Sequence, residues 1–190
     1  MPDLRAPVLA PGSVRQRPQP AIEQHDLLLR PWRALDAPTL VRAYSDPEIR
    51  RWHMKSMDED EARAWVRERR QRWQAEKGGD WLVLEAGAPA GRVAVYGLDL
   101  YDGSGEVGCW ALPEARGRGV AANALDALSC WLFTELGLRR LKLGHSTANP
   151  VSCGVAVKAG FAAEGVARSA LLHEDGWHDM HMHARLRDDT

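Results

Sequence analysis

The sequence predicts a single mixed α/β domain, a mostly antiparallel sheet flanked by helices. Three observations carry this. Helical periodicity dominates from about residue 36 to 75, period-two apolar runs broken by glycine turns follow, and one strand–helix–strand unit precedes a closing hairpin. The 190 residues suit one domain with a core of its own.

In chain order, residues 1–25 are expected to be a disordered tail. Five of the eleven prolines fall there, interleaved with Arg5, Arg15 and Arg17. Proline removes backbone donors, and few apolar residues offset the entropy of ordering the stretch. It has no uninterrupted apolar run of the secretory type. The folded domain is expected over 26–188, opening with a strand at Leu27–Trp32. Asp36 with Pro38, then Asp46 with Pro47, mark two helix starts. A longer helix spans about Asp58–Ala75, with Ala62, Trp65, Val66, Arg69 and Trp73 on one face. Its acidic first turn and its later arginines (Arg67, Arg69, Arg70, Arg72) complement the helix dipole. Strands follow at Trp81–Leu84, Arg92–Leu98 and Glu106–Ala111, then a helix from Val120 to Leu136 closed by Gly137. Leu138–Gly144 is a strand and Pro150–Ala159 a helix. Phe161–His173 and Trp177–Leu186 form a hairpin.

Composition excludes several classes. Lys and Arg number 25 against 26 Asp and Glu, so the footprint of a nucleic-acid or membrane binder is missing. No run approaches the roughly 18 apolar residues of a membrane helix. Cys109, Cys130 and Cys153 are odd in number and without a C-x-x-C spacing, which reads as reduced thiols in a cytoplasmic protein. Eight Trp against two Phe and three Tyr is an unusual aromatic balance.

Arg116-Gly117-Arg118-Gly119 carries the chemistry, because a strand leads into it and a helix leaves it at once. The first turn of that helix, Val120 and Ala121 included, holds backbone N–H groups without intrahelical partners, in the positive end of the dipole. Glycines let an anion approach, so the spacing reads as a phosphate cradle, with Arg116 and Arg118 adding charge-assisted bonds. The Rossmann pattern fails here, since Ala122 stands where the third glycine belongs. A Walker loop would need Gly-Lys-Ser/Thr. A helix start without a ligand stays open.

Arg116 through Ala121 resembles the acyl-CoA motif of the GNAT N-acetyltransferases, Arg/Gln-x-x-Gly-x-Gly/Ala. Downstream, Asn149-Pro-Val-Ser152 and Gly160-Phe161 resemble the family's second cofactor helix. Glu164-Gly165 and the Asp175–Asp179 hairpin are similar to the subgroup of ribosomal-protein-alanine N-acetyltransferases. The likeness covers about residues 27–187, everything but the tail.

The resemblance implies that 26–188 is an N-acetyltransferase domain using acetyl-CoA as cosubstrate, with no metal. It places the cofactor on Trp110, Ala111, Leu112, Arg116, Gly117, Arg118, Gly119, Val120, Ala121 and Asn149. The acceptor would be a primary amine, a protein N-terminal α-amine or a relative of one. An antibiotic or polyamine acceptor, or a non-catalytic acyl-CoA-binding regulatory module, are the alternatives. Neither nucleic acid nor membrane is an implied partner, and a homodimer is left open. Many members carry a Tyr seven residues after the helix-capping Asn as acid for the thiolate, but here that position is Ala156. Ser152 is the substitute donor. Glu164 and Glu106 are the candidate bases, with a water relay beside them, provided burial raises the carboxylate's pKa. His181, His183 and Asp179 share one strand face, read as solvated and not as metal ligands. Cys109 reads as a small buried residue.

Overall fold

The computed structural model describes residues 4–189. Eight strands among them form one sheet in the order β1-β2-β3-β4-β5-β6-β8-β7. The strands are β1 (Ile22–Gln24), β2 (Leu27–Pro31), β3 (Gly78–Glu85), β4 (Ala88–Asp99), β5 (Ser104–Ala111), β6 (Arg140–Ser146), β7 (Ala162–His173) and β8 (Gly176–Leu186). All neighbours are antiparallel except β5 and β6. A parallel pair needs a long crossover, and helix α4 (Val120–Trp131) provides it. The other helices are α1 (Ala37–Ser45), α2 (Pro47–His53), α3 (Glu59–Gln74) and α5 (Pro150–Lys158). The mixed α/β class and the order of elements agree with the sequence reading.

Strand alternation builds two apolar clusters. Trp81 and Val83 of β3 join Leu125, Leu128 and Leu132 behind α4. Leu82 and Leu84 join Leu40, Trp65 and Val66 of α1 and α3. Asp46 caps α2 by accepting from the Ile49 N–H at 3.0 Å. Asp58 and Glu61 form a reciprocal box at the start of α3, both bonds 2.9 Å. Asp36 departs from its expected capping role, because its carboxylate is held by Arg30 at 2.7 and 2.8 Å and by the Arg33 N–H at 2.7 Å. Beyond α4 one turn of π-helix, Leu132–Leu136, ends at Gly137 with φ +97°.

Residues 4–25, read as part of a disordered tail, are packed against the domain; residues 1–3 lie outside the described ones. Val14 is fully buried. Glu76 accepts from the backbone N–H groups of Gly12 and Val14, both at 2.8 Å, and of Arg15 at 3.2 Å. The indoles of Trp73 and Trp81 donate to the carbonyls of Arg17 (2.7 Å) and Pro20 (2.8 Å). Proline bars a segment from forming its own ladders but leaves its carbonyls free to accept. Buried indole donors supply the partners. The tryptophan excess is partly explained by this and by the Trp32–Trp65 and Trp73–Trp81 edge-to-face pairs. Trp177 takes a different position, exposed on the β7–β8 hairpin.

Candidate active site

The sheet opens between β5 and β6. They pair only where Ser104–Glu106 face Arg140–Lys142, although both strands run on. Past that point β5 is bonded on its β4 side alone. The Leu112 N–H is committed to the Ala90 carbonyl at 2.9 Å. By antiparallel alternation Trp110 also points to β4, and the N–H groups of Cys109 and Ala111 face the opening. Of the three residues expected to line a pantetheine arm, Ala111 has its donor there. The side chain of Trp110 packs away from it, 6.0 Å from Tyr44 and 6.4 Å from Trp32, and Leu112 is fully buried beside them.

The opening leads to the start of α4. Gly117 (φ +78°) and Gly119 (φ +82°) adopt backbone that L side chains rarely do. A Cβ at Gly117 would meet nothing within 4 Å, and one at Gly119 only the Asn123 amide at 3.8 Å. Gly119 is the N-cap and has no side chain to cap with, while Asn123 donates to its carbonyl at 2.9 Å. The N–H groups of Val120, Ala121 and Ala122 are thus the bare end of the helix. Arg116 is ion-paired with Asp46 and Arg118 with Glu85. Such exposed pairs are weak, so either guanidinium can exchange its carboxylate for a phosphate at little cost.

Asn149 caps α5, accepting from the Ser152 N–H at 3.0 Å, so its amide holds the helix start. Ala156 is buried in the main core, leaving no polar group where a tyrosine was sought. Burial pushes the Cys109 thiol up to about 12, which keeps it protonated at neutral pH.

The two candidate bases part company. Glu106 is half-buried, and burial raises its pKa against the opposing pull of Lys142. Glu164 is exposed on β7 and paired with Arg140, whose hydrogen bond holds its pKa down. It therefore lacks the burial that a carboxylate base requires.

Beside Gly108 lies a cavity of about 200 Å³, lined by Tyr44, Trp65, Tyr96, His53, Lys55, Arg69, Arg72 and Arg92. Four of these are cations. The buried carboxylate of Asp80 is engaged by Arg92 at 2.6 Å and approached by Arg69 at 3.7 Å. Burial, with Arg92 and Lys55 nearby, pushes His53 down to about 3, so it stays neutral. The arginines of α3 divide: Arg67 and Arg70 face solvent, while Arg69 and Arg72 reach the cavity.

Sequence reasoning missed one arrangement. The Ser146 hydroxyl lies 2.7 Å from His178 Nδ1, and His178 Nε2 lies 2.8 Å from the Asp175 carboxylate. Hydroxyl, imidazole and carboxylate in series can pass a proton outward. The β6–β8 register brings Ser146 and His178 together from residues 32 apart, and no local pattern announces it. The histidine face of β8 is not solvated as expected. His183 is 1% exposed, and His145 of β6 joins it.

The family model described as "Acetyltransferase (GNAT) domain" matches residues 26–162. Among curated proteins, "Putative ribosomal N-acetyltransferase YdaF" of Bacillus subtilis is 30% identical over 105 residues, 55% of this chain and 57% of that protein. The Escherichia coli ribosomal-protein-serine acetyltransferase is 26% identical over 108 residues, 57% and 60% of the two chains. The chain thus spans less than two thirds of the length of either relative. A solved structure of RimL, the ribosomal L7/L12 alpha-N-protein acetyltransferase, in complex with coenzyme A superposes with TM-score 0.82 at 21% identity, covering 90% of this chain and all of the other. At that identity the likeness speaks to the fold.

Proposed function

Because the chain belongs to the GNAT acetyltransferase domain family, we propose that it transfers an acetyl group from acetyl-CoA to the α-amine of a protein N-terminus. One observation carries the reading: the β5–β6 opening, with backbone donors along one wall, runs to the uncapped N-terminus of α4. The pyrophosphate sits on the N–H groups of Val120–Ala122, with Gly117 and Gly119 giving access and Arg116 and Arg118 adding charge. The thioester arm lies along Ala111. The acceptor nitrogen attacks the thioester carbonyl, the C–N bond forms and the C–S bond breaks. The oxyanion is met by a β5 N–H, and the thiolate leaves toward Ser152. Glu106 is the residue that takes the amine proton, directly or through water.

An α-amine is the acceptor best matched to a modest base, since its pKa of about 7.7–8.0 lies well below that of lysine at about 10.4. The relatives named for ribosomal-protein acetylation support a protein terminus. The cationic cavity beside Gly108 supports an acceptor bearing a carboxylate near its amine, and disfavours a polyamine. The test is a panel of N-terminal peptides, acidic and basic, incubated with acetyl-CoA while free thiol is followed. Thiol release fastest with acidic peptides supports the reading. CoA binding without turnover on any amine would replace it with a regulatory acyl-CoA-binding module.

A further inference from the structure

We propose that His145, Cys153, His181 and His183 form a tetrahedral site for one zinc-class divalent ion, which fastens α5 to β6 and β8. One ligand atom from each residue lies within 4.8 Å of all the others. The register that sets His145 opposite His181 and Leu143 opposite His183 turns all three imidazoles to the same sheet face. Cys153, in the first turn of α5, meets them there.

The spacing has the dimensions of a coordination shell about to close. With Zn–N near 2.0–2.1 Å and Zn–S near 2.3 Å, tetrahedral geometry sets nitrogen edges of about 3.3 Å and sulfur–nitrogen edges of about 3.6 Å. The observed separations are 3.1 Å between the Nε2 atoms of His145 and His183, 3.7 Å from Cys153 Sγ to His181 Nδ1, and 4.0 Å from Sγ to His183 Nε2. These three edges lie within a few tenths of an ångström of the tetrahedral values, and the remaining edges, all within 4.8 Å, close by side-chain rotation. Three imidazoles and one thiolate suit zinc better than magnesium or calcium, which take oxygen.

The outer hydrogen bonds agree. His145 Nδ1 lies 2.9 Å from the Ser146 carbonyl, so its proton sits there and the Nε2 lone pair faces the cluster. A metal-free histidine pair would have His183 Nε2–H donate to that lone pair. His183 Nδ1 would then be a bare acceptor, buried and facing no donor within hydrogen-bond geometry. A metal on Nε2 moves the proton to Nδ1, on the side of the Phe161 backbone. Binding releases the Cys153 thiol proton to solvent and leaves a net charge of +1 on the closed site.

The experiment uses the full chain, reduced and stripped with a chelator, then titrated with Co(II). The expected result is saturation at one equivalent, intense tetrahedral d–d bands and a thiolate-to-cobalt charge-transfer band, all displaced by one equivalent of Zn(II). Cys153→Ser should abolish the charge-transfer band and weaken zinc by more than the roughly 10–100-fold that loss of an outer partner costs. Should that variant fail to fold, His181→Gln, at a half-buried position, carries the same affinity test. Folded wild-type protein that takes up no stoichiometric cobalt, gives only weak octahedral bands, or binds zinc equally well as either variant overturns the site and leaves a hydrogen-bonded histidine cluster.

Discussion

Replacing Gly119 by leucine separates backbone strain from ligand access at one position. Gly119 holds φ +82°, and a non-glycine residue there costs about 1–2 kcal/mol. Its Cβ would stand in open space, so no clash adds to that cost. For a chain of this size, about 2–8 °C should be lost from Tm. The same side chain would cover the N–H groups of Val120 and Ala121. Two hydrogen bonds to a charged ligand, at about 1.5–3 kcal/mol each, make the loss at least ~3 kcal/mol, or ~100-fold in Kd for CoA. Gly137→Ala is the control, because it has the same left-handed strain (φ +97°) beyond the other end of the helix. Calorimetric titration with CoA reads the affinity and thermal unfolding reads the strain. Equal CoA affinity in Gly119→Leu and wild type, or an equal loss in Gly137→Ala, would refute the cradle.

Other expectations test the remaining parts. Burial raises the Glu106 pKa, so the base form is lost as pH falls through a value above the ordinary 4.5, and kcat/KM should fall on that side. Glu106→Gln should remove the acidic limb and Glu164→Gln should leave it, and the pH–rate profiles of the two decide. Asp80→Asn strands the buried Arg92 guanidinium and should cost about 3–5 kcal/mol in urea unfolding, part of it recovered when Arg92→Met is added. Deleting residues 1–20 removes the acceptors of two indole N–H groups and the buried Val14, so stability should drop by at least ~3 kcal/mol; an unchanged urea midpoint would mean the docking contributes nothing.

The elements and the glycine turn at the start of α4 were legible because both are local. A glycine pair between a strand and an apolar helix states its geometry in four residues, and Asp58 with Glu61 states a helix start in the same way. What the sequence concealed depends on pairing across distance. Glu164 and Glu106 look alike as letters, and only the fold shows that one meets Arg140 in solvent and the other is half-buried between Tyr96 and Lys142. The docking of residues 4–25 was hidden because proline content reports on internal pairing and says nothing of donors waiting on another surface. His145, His181 and His183 were hidden by register: strict alternation put two of them on one face, but whether water or α5 covers that face is decided by α5.

The α3 arginines show why acceptor choice was the hardest property to read. A basic run at a helix C-terminus is explained by the dipole, and Arg67 and Arg70, which face solvent, ask for no more. Arg69 and Arg72 sit on the same helix but are turned by the 3.6-residue period toward a cavity that Arg92 of β4 and Lys55 complete. A single buried carboxylate, Asp80, stands against them. On the proposed function, the remaining positive potential would favour an acceptor in which an anionic group sits near a neutral amine. It also acts on the chemistry: nearby cations lower the pKa of the bound ammonium and favour the form that attacks. On that proposal the cations that would choose the acceptor also favour its reactive state, and Arg72→Glu should impair acidic acceptors most while leaving CoA binding intact.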